Sequence, residues 1–193
     1  MTPITEGQRT MDYESDVQKS KNQIFNYFKQ ASYSDCKINA FPFNTEYTAI
    51  DLQVKNKTAA SFIMIDLDLK DFENNKEKLG RRLKKTLINL SLKFNGESYP
   101  TGLWTGNGYH IYQPIEGFVF EKHQQFYNFL PYIDKDLTTE FLRFAKNFFT
   151  TGKADPQNHP SIKSCLVRVP GTINAKNGQQ VQVVQDGMVT DLT

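Results

Sequence analysis

At 193 residues the chain is long enough for one compact domain with a sizeable core, and a second full domain would be a squeeze. Charged residues make up 23% and aromatic residues 13% of it, and no low-complexity tract dominates, which excludes a disordered polypeptide. The formal net charge of +2 excludes a global nucleic-acid-binding signature, so any basic surface must be local.

The two cysteines, Cys36 and Cys165, lie far apart and form no CxxC or Cys/His cluster, so no structural zinc is expected. No signal-peptide pattern opens the chain. Two reduced thiols in an intracellular protein, cytoplasmic or nucleoid, are therefore expected. The longest apolar run, around Phe62 to Ile65, is too short to span a membrane. The first fifteen residues are polar and read as a flexible tail. Residues 16–193 then read as one domain.

In chain order, Asp16 to Ala31 carries Val17, Ile24, Phe25 and Phe28 at helical spacing. Cys36 to Val54 reads as a strand pair: Ile38, Ala40 and Phe43, then Tyr47, Ala49 and Leu52, with Pro42 and Asn44 between them. Ala60 to Leu69 is a dense apolar, β-branched run, expected to be a central strand buried on both faces. Asn74 to Phe94 is the clearest helix, with Leu79, Leu83, Leu87 and Leu90 three and four apart.

Tyr99 to Ile115 reads as two strands joined by the turn Thr105-Gly106-Asn107-Gly108. Asp136 to Phe149 is a second helix, with Asp136 as its N-cap and Phe141, Leu142, Phe144, Ala145, Phe148 and Phe149 on its apolar side. Thr150 to Ser164 is a polar loop. Strands follow at Cys165 to Val169 and Gln180 to Gln185. The elements mix without regular βαβ alternation, which indicates an α+β fold.

Three segments carry chemistry. Asp66-Leu67-Asp68 ends the apolar strand, and residues two apart on a strand share a face. Two carboxylates so close repel one another and call for a cation. Hard oxygen donors favour Mg²⁺ or Mn²⁺. Solvated aspartates at a strand end are the plain alternative, but a buried strand seldom spends two positions on carboxylates without a reason.

The second segment runs from Thr105 to Tyr112. Its glycines allow backbone N–H groups close to an anion, and His110 could donate to a phosphate oxygen. Alone, it reads equally as a tight hairpin with a satisfied histidine. The third begins at Lys153-Ala154-Asp155-Pro156 and continues from Val167 to Lys176. Arg168 lies among Leu166, Val167 and Val169, so it needs an anionic partner, either a triphosphate or a carboxylate. Read structurally, this is a hairpin with an internal salt bridge; read functionally, it is a cationic clamp on phosphates.

In this order the three segments resemble the catalytic core of the archaeo-eukaryotic primase superfamily, the small primase subunits and primase-polymerases. Asp66 and Asp68 match its Asp-x-Asp strand end. Thr105, Gly106 and His110 match its small-residue, glycine and histidine motif. Asp155, Arg168, Pro170-Gly171-Thr172 and Lys176 match its third motif, most visibly in RVPGTINAKNG. The resemblance covers Phe62 to Gly178. It implies an α+β, RRM-like core with a mixed or antiparallel central sheet flanked by helices.

It further implies two Mg²⁺ or Mn²⁺ ions held by Asp66, Asp68 and Asp155. His110, Arg168 and Lys176 would face an incoming triphosphate, with Thr105, Gly106 and Asn174 nearby. Asp134 and Asp136 remain alternatives for the third carboxylate, since some primase-polymerases place it soon after the histidine. Two departures stand out. Asn107 and Gly108 occupy positions where replicative relatives often carry basic residues, and the family's zinc-binding insertion is missing.

Lys76, Lys78, Arg81, Arg82, Lys84 and Lys85 crowd the helix after Asp68. They read as a solvated face or, for Arg81, Arg82, Lys84 and Lys85, as candidate template contacts. The resemblance implies a nucleotidyltransferase, a DNA-dependent primase or primase-polymerase that uses nucleoside triphosphates on single-stranded DNA template and primer. A helical primase subunit, a C-terminal domain or a helicase are candidate partners. A partner-dependent nucleotide- and single-strand-binding replication subunit is the alternative, and a two-metal nuclease is a weaker one that leaves Arg168 and Lys176 without a triphosphate.

Overall fold

A computed structural model of the chain describes residues 17–39, 61–96, 99–115, 137–158, 160 and 165–187. The expected polar tail, most of the expected strand pair after Asn39, and Asp134 and Asp136 lie outside the described residues. The fold is α+β. Its elements are α1 (Val17–Gln30), β1 (Lys37–Asn39), β2 (Phe62–Asp68), a 3-10 turn (Leu69–Phe72), α2 (Lys76–Lys93), β3 (Thr101–Trp104), β4 (Gly108–Pro114), α3 (Leu137–Thr150), β5 (Leu166–Arg168), β6 (Ile173–Asn174), β7 (Gln179–Gln180) and β8 (Gln182–Gln185).

The main sheet has the order β2-β4-β3-β8 and is antiparallel throughout. Period-two alternation sorts β2 cleanly. Ile63, Ile65 and Leu67 point to one face and, with Ile111 of β4, pack on Leu79 and Leu90 of α2 and Ala145 and Phe149 of α3. Each such burial contributes about 1.5–3 kcal/mol relative to exposure. Phe62, Met64, Asp66 and Asp68 point to the other face, where Met64 meets Cys165 and Val167. α2 thus packs on one side of the sheet, α3 packs there through Ala145 and Phe149 and joins the Met64 cluster through Leu142, and Asp66 and Asp68 lie on the Met64 face.

Among the described residues, the strand expected to be central is the edge strand of this sheet. Its apolar density comes from burial on both faces, which does not require a neighbour on both edges. Its free edge is met by the loop after α3, where the Asp155 N–H donates to the Asp66 carbonyl at 2.9 Å.

Asn75 caps α2 by accepting from the Lys78 N–H at 3.0 Å, so the helix starts close to its expected boundary. In α3 the buried stripe is Leu142, Ala145 and Phe149, whereas Phe141, Phe144 and Phe148 are exposed. The helix therefore carries more apolar surface than the sheet covers.

The C-terminal strands do not form the expected hairpin. β5 pairs with β1, with Lys37 opposite Arg168, while β8 extends the main sheet beside β3. The short β6–β7 hairpin lies between them. Among the described residues no helix is long and apolar enough to cross a membrane.

Candidate active site

The site is built at the C-terminal end of β2 and the N-terminal end of β4. In the β2–β4 register Asp66 faces His110 and Asp68 faces Gly108. This pairing needs a glycine, because a Cβ at Gly108 would run into the Leu67 carbonyl oxygen. Asp66 and Asp68 do share one face, as their spacing requires. Asp66 is deeply set, with Oδ2 3.6 Å from His110 Nε2 and accepting from Asn158 Nδ2 at 3.1 Å.

Burial pushes the Asp66 carboxyl up from its ordinary value. The Asp155 and Asp68 charges push the same way, against His110 and Asn158. Burial likewise pushes His110 down, outweighing its attraction to Asp66. At 3.6 Å the pair is a contact between two reluctant charges, too long for a hydrogen bond. His110 Nδ1 shares a hydrogen bond of 3.0 Å with the Tyr112 hydroxyl, whose own ionisation burial pushes well up.

Asp155 is buried and joins the site through its backbone bond to Asp66. Its Oδ1 accepts from the Gln157 N–H at 2.9 Å, closing a tight turn. Below that turn lies Lys146 of α3, a buried lysine that the sequence reading passed over. Its ammonium donates to the Asp155 carbonyl at 3.0 Å and also to the Asn158 carbonyl. Burial pushes its ionisation down, against the pull of Asp155 and Asp66. The sequence did hold a signal. Lys146 falls on the stripe of Leu142 and Phe149, where a lysine has to be inside.

Asp68 has two neighbours from Lys70. Its Oδ1 caps the 3-10 turn by accepting from the Lys70 N–H at 3.1 Å, and its Oδ2 lies 3.4 Å from Lys70 Nζ. The same ammonium is 3.7 Å from Asp155 Oδ1 and donates to Gln157 Oε1 at 3.2 Å. Asp71, on the same turn, is also pushed up, first by burial and then by the Asp155 charge. Four carboxylates therefore feel one another here.

Thr105, Gly106 and Asn174 come together. The Thr105 hydroxyl donates to the Gly108 carbonyl at 3.2 Å, and Asn174 Nδ2 donates to the Thr105 carbonyl at 2.7 Å. Gly106 has φ +88°, and a Cβ there would fall 2.6 Å from Asn177 Nδ2. The 105–107 turn is thus clamped against the β6–β7 turn. Lys176 stands exposed on that turn and makes no ion pair among the described residues.

Arg168 has an anionic partner, but not one inside its own hairpin. Asp35, just before β1, accepts from Arg168 Nη1 at 2.7 Å and from Lys37 Nζ at 2.7 Å. No sequence signal pairs residues so far apart. The Arg168 charge still reaches His110, whose protonation it opposes.

The basic helix divides. Arg82 donates to the Thr150 carbonyl at 3.2 Å and the Thr151 hydroxyl at 2.8 Å, closing the end of α3. Arg81 pairs with Glu77 along α2 at 3.6 Å. A cleft of about 360 Å³ is lined by Lys78, Arg81, Arg82, Lys85 and Lys153 together with Asp71, Phe72 and Glu73, the last paired with Lys78 at 2.6 Å. Lys84 is not among its lining residues, whereas Lys78, of the same basic helix, and Lys153, beside Asp155 in the chain, are.

A second cleft, of about 350 Å³, opens over Asp66 and His110, floored by Met64 and Cys165. Burial pushes the Cys165 thiol up to about 11, so it stays protonated and apolar in character.

The donor types are those a hard divalent cation takes: Asp66 and Asp68 on one face of β2 and Asp155 in the loop at its edge, with the Lys70 ammonium 3.4 Å from Asp68 and 3.7 Å from Asp155. Among the described residues no three acidic, histidine or cysteine side chains already converge as a ligand set. Compared with family models, curated proteins and solved structures, the chain matches none.

Proposed function

We propose that the chain is a nucleotidyltransferase of the primase or primase-polymerase type, with the β2–β4–β3–β8 sheet and its two covering helices as that superfamily's catalytic core. One observation carries this reading. Asp66, Asp68 and His110 share a sheet face, and Asp155 is bonded by its backbone to Asp66.

Asp66, Asp68 and Asp155 would hold Mg²⁺ or Mn²⁺, which when bound activates an attacking hydroxyl and stabilises leaving pyrophosphate. The chain's own groups do the positioning. His110 presents an imidazole beside Asp66, steadied by Tyr112. Arg168, steadied by Asp35, adds positive charge on the same side, and Lys176 offers an exposed ammonium from the neighbouring turn. The clamped 105–107 turn fixes the edge of the site. Single-stranded template and primer phosphates would lie along the basic cleft beside Asp71.

The test is primer extension on a single-stranded DNA template with Mn²⁺ or Mg²⁺ and either ribo- or deoxyribonucleotides, products being sized. Template-directed products that vanish in the Asp66→Ala, Asp68→Ala double variant support the reading. No incorporation under any of these conditions, or degradation in place of extension, overturns it.

A second reading is a nucleotide- and single-strand-binding subunit that needs a partner for activity. The exposed Phe141, Phe144 and Phe148 on α3 favour it, since that much aromatic surface is costly to leave in water. Binding without synthesis, with synthesis restored by a partner subunit, would distinguish it.

A further inference from the structure

Lys70 is held between two candidate ligands from three directions. Asp68 caps the 3-10 turn through the Lys70 N–H, so the lysine stem starts beside that carboxylate. The backbone bond from Asp155 to Asp66 brings the second carboxylate within reach. Gln157, in the Asp155 turn, accepts from the ammonium at 3.2 Å. Nζ then lies 3.4 Å from Asp68 and 3.7 Å from Asp155.

Those lengths matter. A tight ammonium–carboxylate bond runs at about 2.7–2.9 Å, so Lys70 grips neither partner closely. It sits between them, as a counter-ion does. Its side chain is 45% exposed, so it can swing out to water without unpacking anything.

We propose that the Lys70 ammonium fills the cation position between Asp68 and Asp155, and that a divalent ion entering the site must displace it. This rests on the reading of those carboxylates as metal ligands. With Lys70 in place the two carboxylates are held around a monovalent group. With Lys70 swung out, they are free to close on an ion carrying twice the charge. The lysine thereby keeps the site stable without metal and weakens metal binding to it.

The experiment is a Mn²⁺ titration of the full chain followed by the paramagnetic signal of free Mn²⁺, with melting temperature as a second readout. Lys70→Met keeps the apolar stem and removes the charge. It should bind Mn²⁺ roughly tenfold more tightly than wild type and melt lower without metal, with Mn²⁺ restoring the difference. Lys70→Arg should behave as wild type. Should Lys70→Met fail to fold, Lys70→Gln, which can still hydrogen-bond to Asp68, carries the same expectation.

Equal or weaker Mn²⁺ affinity in the uncharged variants overturns the proposal and leaves the metal site standing. So does a loss of triphosphate affinity with Mn²⁺ affinity unchanged, which would make Lys70 a substrate contact. Absence of Mn²⁺ binding in wild type and variants alike overturns the metal-site reading, and this proposal with it.

Discussion

Asp155 donates its backbone N–H to the carbonyl oxygen of Asp66 at 2.9 Å. The bond uses the one edge of β2 that β4 leaves free, so the loop docks as a further strand would. It brings a third carboxylate to the pair that local chain geometry had already set side by side. The three charges then oppose one another in a partly buried place, which weakens the fold unless a cation offsets them.

Asp66→Asn removes one of these charges while keeping the shape and the acceptor for Asn158. Primer extension and Mn²⁺ binding should fall to background, while the metal-free melting temperature holds or rises. A variant that melts well below wild type and still extends primers would show that Asp66 is structural.

Lys146→Met tests how the Asp155 loop is held. The variant loses both bonds to the Asp155 and Asn158 carbonyls; the Asp155 oxygen keeps the Asn158 N–H at 3.2 Å, while a buried carbonyl left unmet costs about 1–3 kcal/mol. Mn²⁺ affinity should drop although Lys146 itself is no ligand, and amide hydrogen exchange should speed up in residues 151–158. Unchanged exchange there would mean the loop is held without Lys146, by its bonds to Asp66, Arg82 and Lys70.

Asp35→Asn probes the Arg168 pair. Partial burial acts to raise the Asp35 carboxyl, but the hydrogen bonds and charges of Lys37 and Arg168 outweigh it and leave it lowered. The sign follows. A carboxyl lowered on folding contributes stability above its unfolded value of about 3.9. That stability is lost as pH falls through the folded value. Urea unfolding should therefore show wild type above Asp35→Asn by about 1 kcal/mol at neutral pH, a figure discounted because Asp35 is 39% exposed. The gap should close below about pH 4. A gap independent of pH would rule out the ion pair as its source.

Gly108→Ala places a Cβ against the Leu67 carbonyl, where β2 and β4 pair. Overpacking at backbone contacts costs about 1–3 kcal/mol or more. The expected result is a lower denaturation midpoint together with weakened Mn²⁺ binding, because parting the strands shifts β2 at Leu67, between Asp66 and Asp68, and moves both carboxylates away from His110. A stable variant with intact Mn²⁺ affinity would contradict the strand register.

The basic cleft makes a salt-dependence prediction. Lys85→Gln with Lys153→Gln should lower the slope of log affinity against log salt for a single-stranded oligonucleotide by about 1.4, roughly 0.7 per lost phosphate contact. Mn²⁺ affinity should not move. The exposed Lys84, which does not line the cleft, serves as the control, and Lys84→Gln should leave the slope as it is. An equal effect at Lys84 would mean a diffuse field and no track.

Much of the fold is legible in the chain. The helices at Val17–Gln30, Lys76–Lys93 and Leu137–Thr150 and the β3–β4 hairpin appear close to where periodicity and turn residues put them. The failures have one cause. The edge position of β2, the β1–β5 pairing and the separation of β8 from β5 all depend on which strand finds which, and no local pattern records that. The exposure of Phe141, Phe144 and Phe148 on the apolar side of α3 is undecided by the chain for a related reason. An apolar residue in a helix shows an affinity for burial, not the presence of a neighbour to bury it.

The site divides along the same line. The sequence by itself determined that Asp66 and Asp68 share a face, that a glycine-bearing turn precedes His110, and that Arg168 in its apolar strand needs an anion. These follow from the two-residue repeat of a strand, the torsional freedom of glycine and the cost of an unpaired charge. Only the tertiary structure decided that His110 lies opposite Asp66, that Asp35 is the anion, that Asp155 docks on the β2 edge, and that Lys70 stands between Asp68 and Asp155. Those are choices of register and docking. They are set by the summed burial and hydrogen bonding of segments far apart in the chain, which no short stretch of it contains.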